Sequence, residues 1–258
     1  MTNILISDFL GGIMIFLRIG AMFFTAPIFN NRNIPVLPKL AFAVLITYIL
    51  VFSVNLGPVK YTDSLIPLAF IGIKEMITGL LMGLALRFVF IGISFAAMNI
   101  GRDMGLSMIE MFDPSLSSQN NLLSVLLMSL AIIVFILING HHFIIESLVY
   151  SFKVIPIGHY VINGSVYTLI VKYSALIFIL SIKIAAPIMV AFFLIHLASG
   201  IIARVSPNFQ VFFVLLPLKL ILGIFMLMVL VPIYVYVFKN LLMNYEDKLL
   251  EIIKMMSA

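Results

Sequence analysis

The sequence has 258 residues, 64% of them hydrophobic and 10% charged, with a mean hydropathy of +1.26. So little charge excludes a soluble domain of this size and points to an integral membrane protein. A net charge of +5 without a basic cluster argues against nucleic acid as a partner, and the lack of cysteine removes disulfides, thiolate metal sites and cysteine nucleophiles together.

The N-terminus, Met-Thr-Asn-Ile-Leu-Ile-Ser-Asp, lacks the basic region and small-residue cleavage site of a signal peptide and is expected to stay in the mature protein. Apolar blocks then run over roughly 9–29, 38–56, 65–98, 120–138, 166–198 and 209–238. The joints at 30–35, 55–58, 101–121, 139–142, 156–165 and 200–208 each hold Gly, Pro or Asn, residues that break helices or make turns. The blocks predict an all-α fold of hydrophobic helical hairpins. No internal repeat or low-complexity segment is visible, and the joints are too short for a soluble domain. The whole chain, 1–258, is therefore expected to be one domain.

Two features argue against a plain bundle of spanning helices. As a helix, block 65–98 would be about 50 Å long against a hydrocarbon core of roughly 30 Å, so it must tilt, fold back or leave the bilayer. Moreover, Arg18, Lys74, Arg87, Lys172, Lys183 and Lys219 lie inside apolar blocks, where Glu75 is the only acid. At roughly 2.5–3.5 kcal/mol each at mid-bilayer, these cations would together cost on the order of 15–20 kcal/mol facing lipid. Folded proteins are stable by only about 5–15 kcal/mol. Most of these side chains, Arg18, Lys74 and Lys183 among them, must snorkel, face water, or meet carbonyls and acids of partner chains. Loop charges give no orientation, because Arg32, Lys39, Arg102 and Arg204 on one side nearly balance Lys60, Lys153, Lys239, Lys248 and Lys254 on the other.

Gly79 and Gly83 form a small-xxx-small pair, preceded by Gly72, that suits close helix packing in lipid. Pro187, Pro217 and Pro232 sit inside apolar blocks and are expected to kink them.

The central stretch, 101–121, is the one long polar interruption. It carries Arg102, Asp103, Glu110 and Asp113, with Met104, Met108 and Met111 interleaved. Asp113-Pro114 reads as a helix start, because Asp can cap free amides and Pro fits the first helical position. Acids and deformable thioethers between apolar halves suit a gate, and an ordinary connecting loop has the same composition.

From Lys239 onward, Leu242, Tyr245, Leu249, Ile252 and Met256 recur at spacings of three and four, with charged residues between them. This predicts an amphipathic helix lying on a membrane or a partner.

His142 and Glu146, four apart beside His141, invite a metal reading, but no third ligand is well placed. No HExxH motif, GxSxG elbow, Walker motif or dinucleotide fingerprint occurs, so no catalysis and no cofactor is expected.

The joints carry a resemblance. Leu17-Arg18-Ile19-Gly20-Ala21 with Ala26-Pro27-Ile28-Phe29, then Asn31-Arg32-Asn33-Ile34-Pro35 followed by Lys39, resembles the opening of the FliR family of flagellar type III export-gate proteins. Met104-Gly105-Leu106-Ser107-Met108 with Phe112-Asp113-Pro114, Asn139-Gly140-His141-His142, and Ser151-Phe152 leading to Pro156 continue it. Ala186-Pro187, and Gly200-Ile201-Ile202-Ala203-Arg204 with Pro207 and Phe212, complete it. The Asn-Arg-Asn-Ile-Pro joint favours the flagellar branch over the related SctT proteins of virulence systems. Two departures stand out. Pro207-Asn208-Phe209-Gln210 exchanges the two amides of the family pattern, and Asp103 stands where the family often has glutamine.

The resemblance implies a FliP-like part followed by a FliQ-like hairpin, joined with FliP and FliQ in a cone-shaped core around an export channel. It implies an inner-membrane location in the flagellar basal body, with FlhB and FlhA as neighbours, lipids at the periphery and unfolded flagellar proteins as cargo. It further implies that the central loop plugs the channel beside a methionine-rich ring of FliP. The plug residues would be Met104, Gly105, Leu106, Ser107, Met108, Ile109, Glu110, Met111, Phe112, Asp113 and Pro114. Asn31, Arg32, Pro35, Arg204 and Pro207 of the joints, with Arg18, Lys74, Glu75 and Lys183, would serve assembly. A secondary transporter for a small solute is the alternative, but it predicts paired acids and inverted repeats, and here Glu75 is alone.

Overall fold

The computed structural model describes residues 2–27, 29, 35–53, 65–106, 122–160, 164–206 and 211–256. Among them are seven α-helices and no strand: α1 Thr2–Thr25, α2 Val36–Ser53, α3 Leu65–Asp103, α4 Leu122–Leu137, α5 Gly140–Val154, α6 Gly164–Val205 and α7 Val211–Met255. The chain is all-α. α3, α6 and α7 are long and apolar enough to cross a membrane, and α4 with α5 is a fourth candidate if the broken pair counts as one span.

The overlong block resolves as a single helix, since α3 has 39 residues, about 58 Å at the α-helical rise. α6 and α7 are longer still, at 42 and 45 residues, and run through Pro187, Pro217 and Pro232. Sequence reading misses α5 as an element, because its Glu, His, Ser and Lys residues interrupt the apolar run. The residue before it, Asn139, takes the left-handed conformation (φ 61°) that breaks the helix there.

Two compact units are present. The first comprises residues 1–88, 139–174 and 243–258, and the second 89–138 and 175–242, so α3, α6 and α7 each contribute to both.

In the first unit, α1 packs on α2 through stacked rings, with Phe23 4.4 Å from Phe29 and 5.6 Å from Phe42. α1 also meets α3 at the glycine pair. A side chain at Gly79 would strike the carbonyl of Arg18, and one at Gly83 would come within 2.7 Å of the Met22 carbonyl. The small-xxx-small face is thus a backbone-to-backbone crossing, which only glycine permits.

The tail is the last part of α7 and not a separate helix. Leu242, Tyr245, Leu249, Ile252 and Met256 are all buried within the chain, so the face expected to lie on a membrane or a partner is covered intramolecularly. Tyr173 of α6 receives it, its ring 6.1 Å from Tyr245 and its hydroxyl donating to Glu251 at 3.2 Å. Replacing Leu249 and Ile252 with Asp should cost at least about 1.5–3 kcal/mol per apolar side chain lost. Thermal unfolding in detergent checks this, and an unchanged melting temperature would show the packed tail to be dispensable.

In the second unit, Phe90 meets Phe135 edge-on at 6.2 Å and Phe95 meets Phe178 at 5.8 Å. Ser94 and Ser124 share a 2.6 Å hydrogen bond between α3 and α4. The buried Tyr234 of α7 donates to the Ile184 carbonyl at 3.2 Å. That acceptor adjoins the Lys183 carbonyl, which Pro187 deprives of its usual amide, so polar support arrives where the proline weakens α6.

Candidate functional site

Two polar clusters stand out among the described residues of these apolar helices. In the first unit, Arg18 and Glu75 are both fully buried, and Arg18 Nε donates to Glu75 Oε2 at 2.6 Å. The guanidinium also donates to Ser151 Oγ at 3.2 Å and to the Ile155 carbonyl at 3.1 Å, and it lies 4.2 Å from the Phe152 ring centroid. The second carboxylate oxygen accepts from the Gly158 amide at 2.9 Å. Gly158 has φ +80°, a conformation that glycine adopts without strain, and its carbonyl receives Lys74 Nζ at 3.3 Å. Burying a charge is tolerable when it is paired and hydrogen-bonded, and here the guanidinium is paired with Glu75 and each of its three nitrogens donates to a partner.

This hub ties α1, α3, α5 and the turn at 155–158 together. Arg18 and Glu75, expected at an assembly interface, therefore compensate one another inside the chain. The signal was present in part: Ser151-Phe152 stands out as a joint motif, but nothing in the linear pattern marks Ser151, Ile155 or Gly158 as partners of Arg18.

The second cluster lies where α3 ends and the central stretch begins. The Met104 amide still donates to Ile100 and that of Gly105 to Arg102, after which Gly105 turns left-handed at φ +82° and stops the helix. Met104 is 2% exposed, and its side chain fills the space above Gly223 of α7. Asp103 lies within electrostatic reach of Lys219 and His196. Lys219 Nζ donates to His196 Nε2 at 2.6 Å, linking α7 to α6. Sequence reading finds Lys219 as a surplus cation and misses His196 and Gly223, which lack any motif of their own.

Of the other expected gate residues, Leu106 is partly exposed, and Ser107, Met108, Ile109, Glu110, Met111, Phe112, Asp113 and Pro114 lie outside the described residues, as do Asn31, Arg32 and Pro207. Pro35, Lys74, Lys183 and Arg204 are exposed. The rings of His141 and His142 stand 4.2 Å apart, and no group of three metal-ligating side chains occurs among the described residues.

The family described as bacterial export proteins, family 1, matches residues 9–245. The chain is 30% identical over 243 residues to the flagellar biosynthetic protein FliR of Bacillus subtilis (strain 168), covering 92% of each chain. It is 29% identical over 217 residues to FliR of Escherichia coli (strain K12), covering 84% of this chain and 82% of the relative. Against FliR of Caulobacter vibrioides it is 32% identical over 216 residues, covering 83% and 85%. The chain belongs to the FliR family. The match to this export family takes in every residue of both polar clusters, from Arg18 to Gly223.

Proposed function

We propose that this FliR-family chain is a non-catalytic component of the flagellar type III export gate, acting over its full length, 1–258, as one export-gate domain. With FliP and FliQ homologues it forms the inner-membrane channel for unfolded flagellar subunits, next to FlhB and FlhA and bordered by lipid. The segment from Met104 to Pro114 plugs the channel at rest. Asn31, Arg32, Pro35, Lys74, Lys183, Arg204 and Pro207 serve on assembly surfaces.

The observation that carries this reading is the length of apolar surface left uncovered. Large apolar side chains are exposed along α7 between Phe213 and Met243, a rise of about 45 Å, and along α6 between Tyr167 and Val205, about 57 Å. Fitting these into a hydrocarbon core of about 30 Å requires tilts of about 48° and 58°, beyond the roughly 0–40° that membrane helices adopt. Only 6% of the most apolar window of α7 is buried within the chain, against 56% for α3. Lipid covers part of this surface, and partner helices must cover the rest.

Co-expression with the FliP and FliQ homologues tests the reading. The chain is expected to co-purify in one large particle by native mass and to aggregate when produced alone. A monodisperse, fully helical monomer that ignores FliP and FliQ would overturn the assembly role and favour a small-solute transporter.

A further inference from the structure

α6 and α7 are each interrupted by a proline, and the two interruptions fall at one level. Tyr234 reaches the Ile184 carbonyl and Lys219 reaches His196, so numbering rises along one helix as it falls along the other, and the pair is antiparallel. Pro187 lies three residues beyond Ile184 and Pro232 two before Tyr234, which is about 4.5 Å and about 3 Å in the same direction at the helical rise. Having no amide hydrogen, Pro187 leaves the Lys183 carbonyl without its helical donor, and Pro232 does the same to the carbonyl of Met228. Among the described residues, no side chain donates to either carbonyl.

These acceptors belong to the outer faces of the two helices. Ile184, Ile188, Tyr234 and Phe238 are buried, whereas Lys183, Pro187, Met228 and Pro232 are exposed. The surface around them is apolar, with Ile182 and Val190 exposed beside the first proline and Phe225 and Val229 beside the second. A carbonyl without a donor on an apolar surface is heavily disfavoured, and in membrane helices a neighbouring helix commonly supplies what the proline has removed. We propose that this double proline break is a docking site for a partner-subunit helix that carries neutral hydrogen-bond donors, namely carboxamide or phenol side chains. The proposal rests on the assembly reading above and names what the partner must bring to it.

The chain itself points to that chemistry. A lysine or arginine donor is disfavoured, because the Lys183 ammonium begins the same turn and is exposed. Serine and threonine are poor candidates as well. Thr168, Ser174, Ser181 and Ser199 of α6 each donate to a carbonyl of their own helix, three or four residues back, and a hydroxyl has only one hydrogen to give. Asn and Gln carry two N–H donors. Tyrosine is long enough to cross to another helix, as Tyr234 does in reaching the Ile184 carbonyl.

The Lys183 carbonyl can be observed alone, because Lys183-Ile184 is the one Lys-Ile pair in the sequence. Isotope labels at the lysine carbonyl carbon and the isoleucine nitrogen therefore give a single signal in solid-state NMR of the complex with the FliP and FliQ homologues. The expected result is a hydrogen-bonded carbonyl shift with no magnetisation transfer from water. It should be accompanied by a dipolar contact to a partner's Asn or Gln side-chain nitrogen, or to a partner's Tyr phenol carbon, each labelled in a separate sample. Pro187→Ala with Pro232→Ala returns an amide to each carbonyl and makes the partner's donors redundant. Association with the partners should then weaken by about threefold for each hydrogen bond, near tenfold for both.

An unbonded carbonyl shift would show that lipid or plain apolar packing covers the break, and transfer from water would show that water does. A bonded carbonyl without any partner contact would show that this chain satisfies it alone. Each of these results overturns the proposal, as does a doubly substituted chain that associates as tightly as the parent. A chain that enters no complex at all sinks the assembly reading and the docking with it, whereas an intact complex with an unbonded carbonyl sinks the docking alone.

Discussion

Truncating Arg18 to alanine is expected to destabilise the protein by about 3–5 kcal/mol, because it leaves the Glu75 carboxylate buried and uncompensated. That loss is comparable with the whole stability of many folded domains, about 5–15 kcal/mol, so the variant should accumulate poorly and fail to enter the complex. The hub has more members than the ion pair, which makes graded predictions possible. Arg18→Lys keeps the charge but loses the planar fork that serves Glu75, Ser151 and the Ile155 carbonyl together, so it should fall between parent and alanine. Replacing both charges, as Arg18→Met with Glu75→Leu, removes the unpaired ion. It also strands the Ile155 carbonyl and the Gly158 amide, at about 1–3 kcal/mol for each buried group left without a partner. The double variant should therefore recover only part of the loss. Thermal unfolding of the purified chain with its partners ranks the variants, and an Arg18→Ala protein that melts with the parent would show that the hub does not hold these helices together.

Deleting residues 106–112 should raise the resting ion permeability of the assembled complex by about two orders of magnitude. If the plug adds a barrier of roughly 2.5–3.5 kcal/mol, comparable with placing a charged side chain at mid-bilayer, its removal multiplies passage by tenfold for each 1.36 kcal/mol. Assembly should survive, because the deletion spares Met104 and Gly105 and so leaves the contact with Gly223 intact. Conductance across bilayers holding the complete core, or sensitivity of cells to small toxic solutes, reads the outcome. Unchanged permeability in a fully assembled deletion complex would move the seal to the partner subunits.

Much of the helical plan was legible from the residues. Long apolar runs broken by Gly, Pro and Asn mark α1 to α4, α6 and α7, because backbone groups away from water must be satisfied within the segment. The 3–4 spacing from Leu242 to Met256 marked the apolar face of the tail but not that the chain itself covers it, and the Gly79–Gly83 spacing marked a close helix crossing. Where each element stops was less clear. α3, α6 and α7 run past the edges of their apolar blocks, since helical hydrogen bonding does not end where hydropathy falls.

The sequence by itself determined that this is an all-α membrane protein of an export family, which helices it has apart from α5, and that its cations exceed what lipid tolerates. Only the tertiary structure decided how those charges are met. Arg18 finds Glu75 at a separation of 57 residues, and Met104 finds Gly223 across most of the second half of the chain. The physical reason lies in α3 and α7 themselves. A helix that is apolar almost all round has no polar stripe to show which face turns inward, so periodicity says that it is buried or in lipid and nothing about what it touches. Packing chooses the face, and that choice brings Glu75 to Arg18 and Gly223 to Met104.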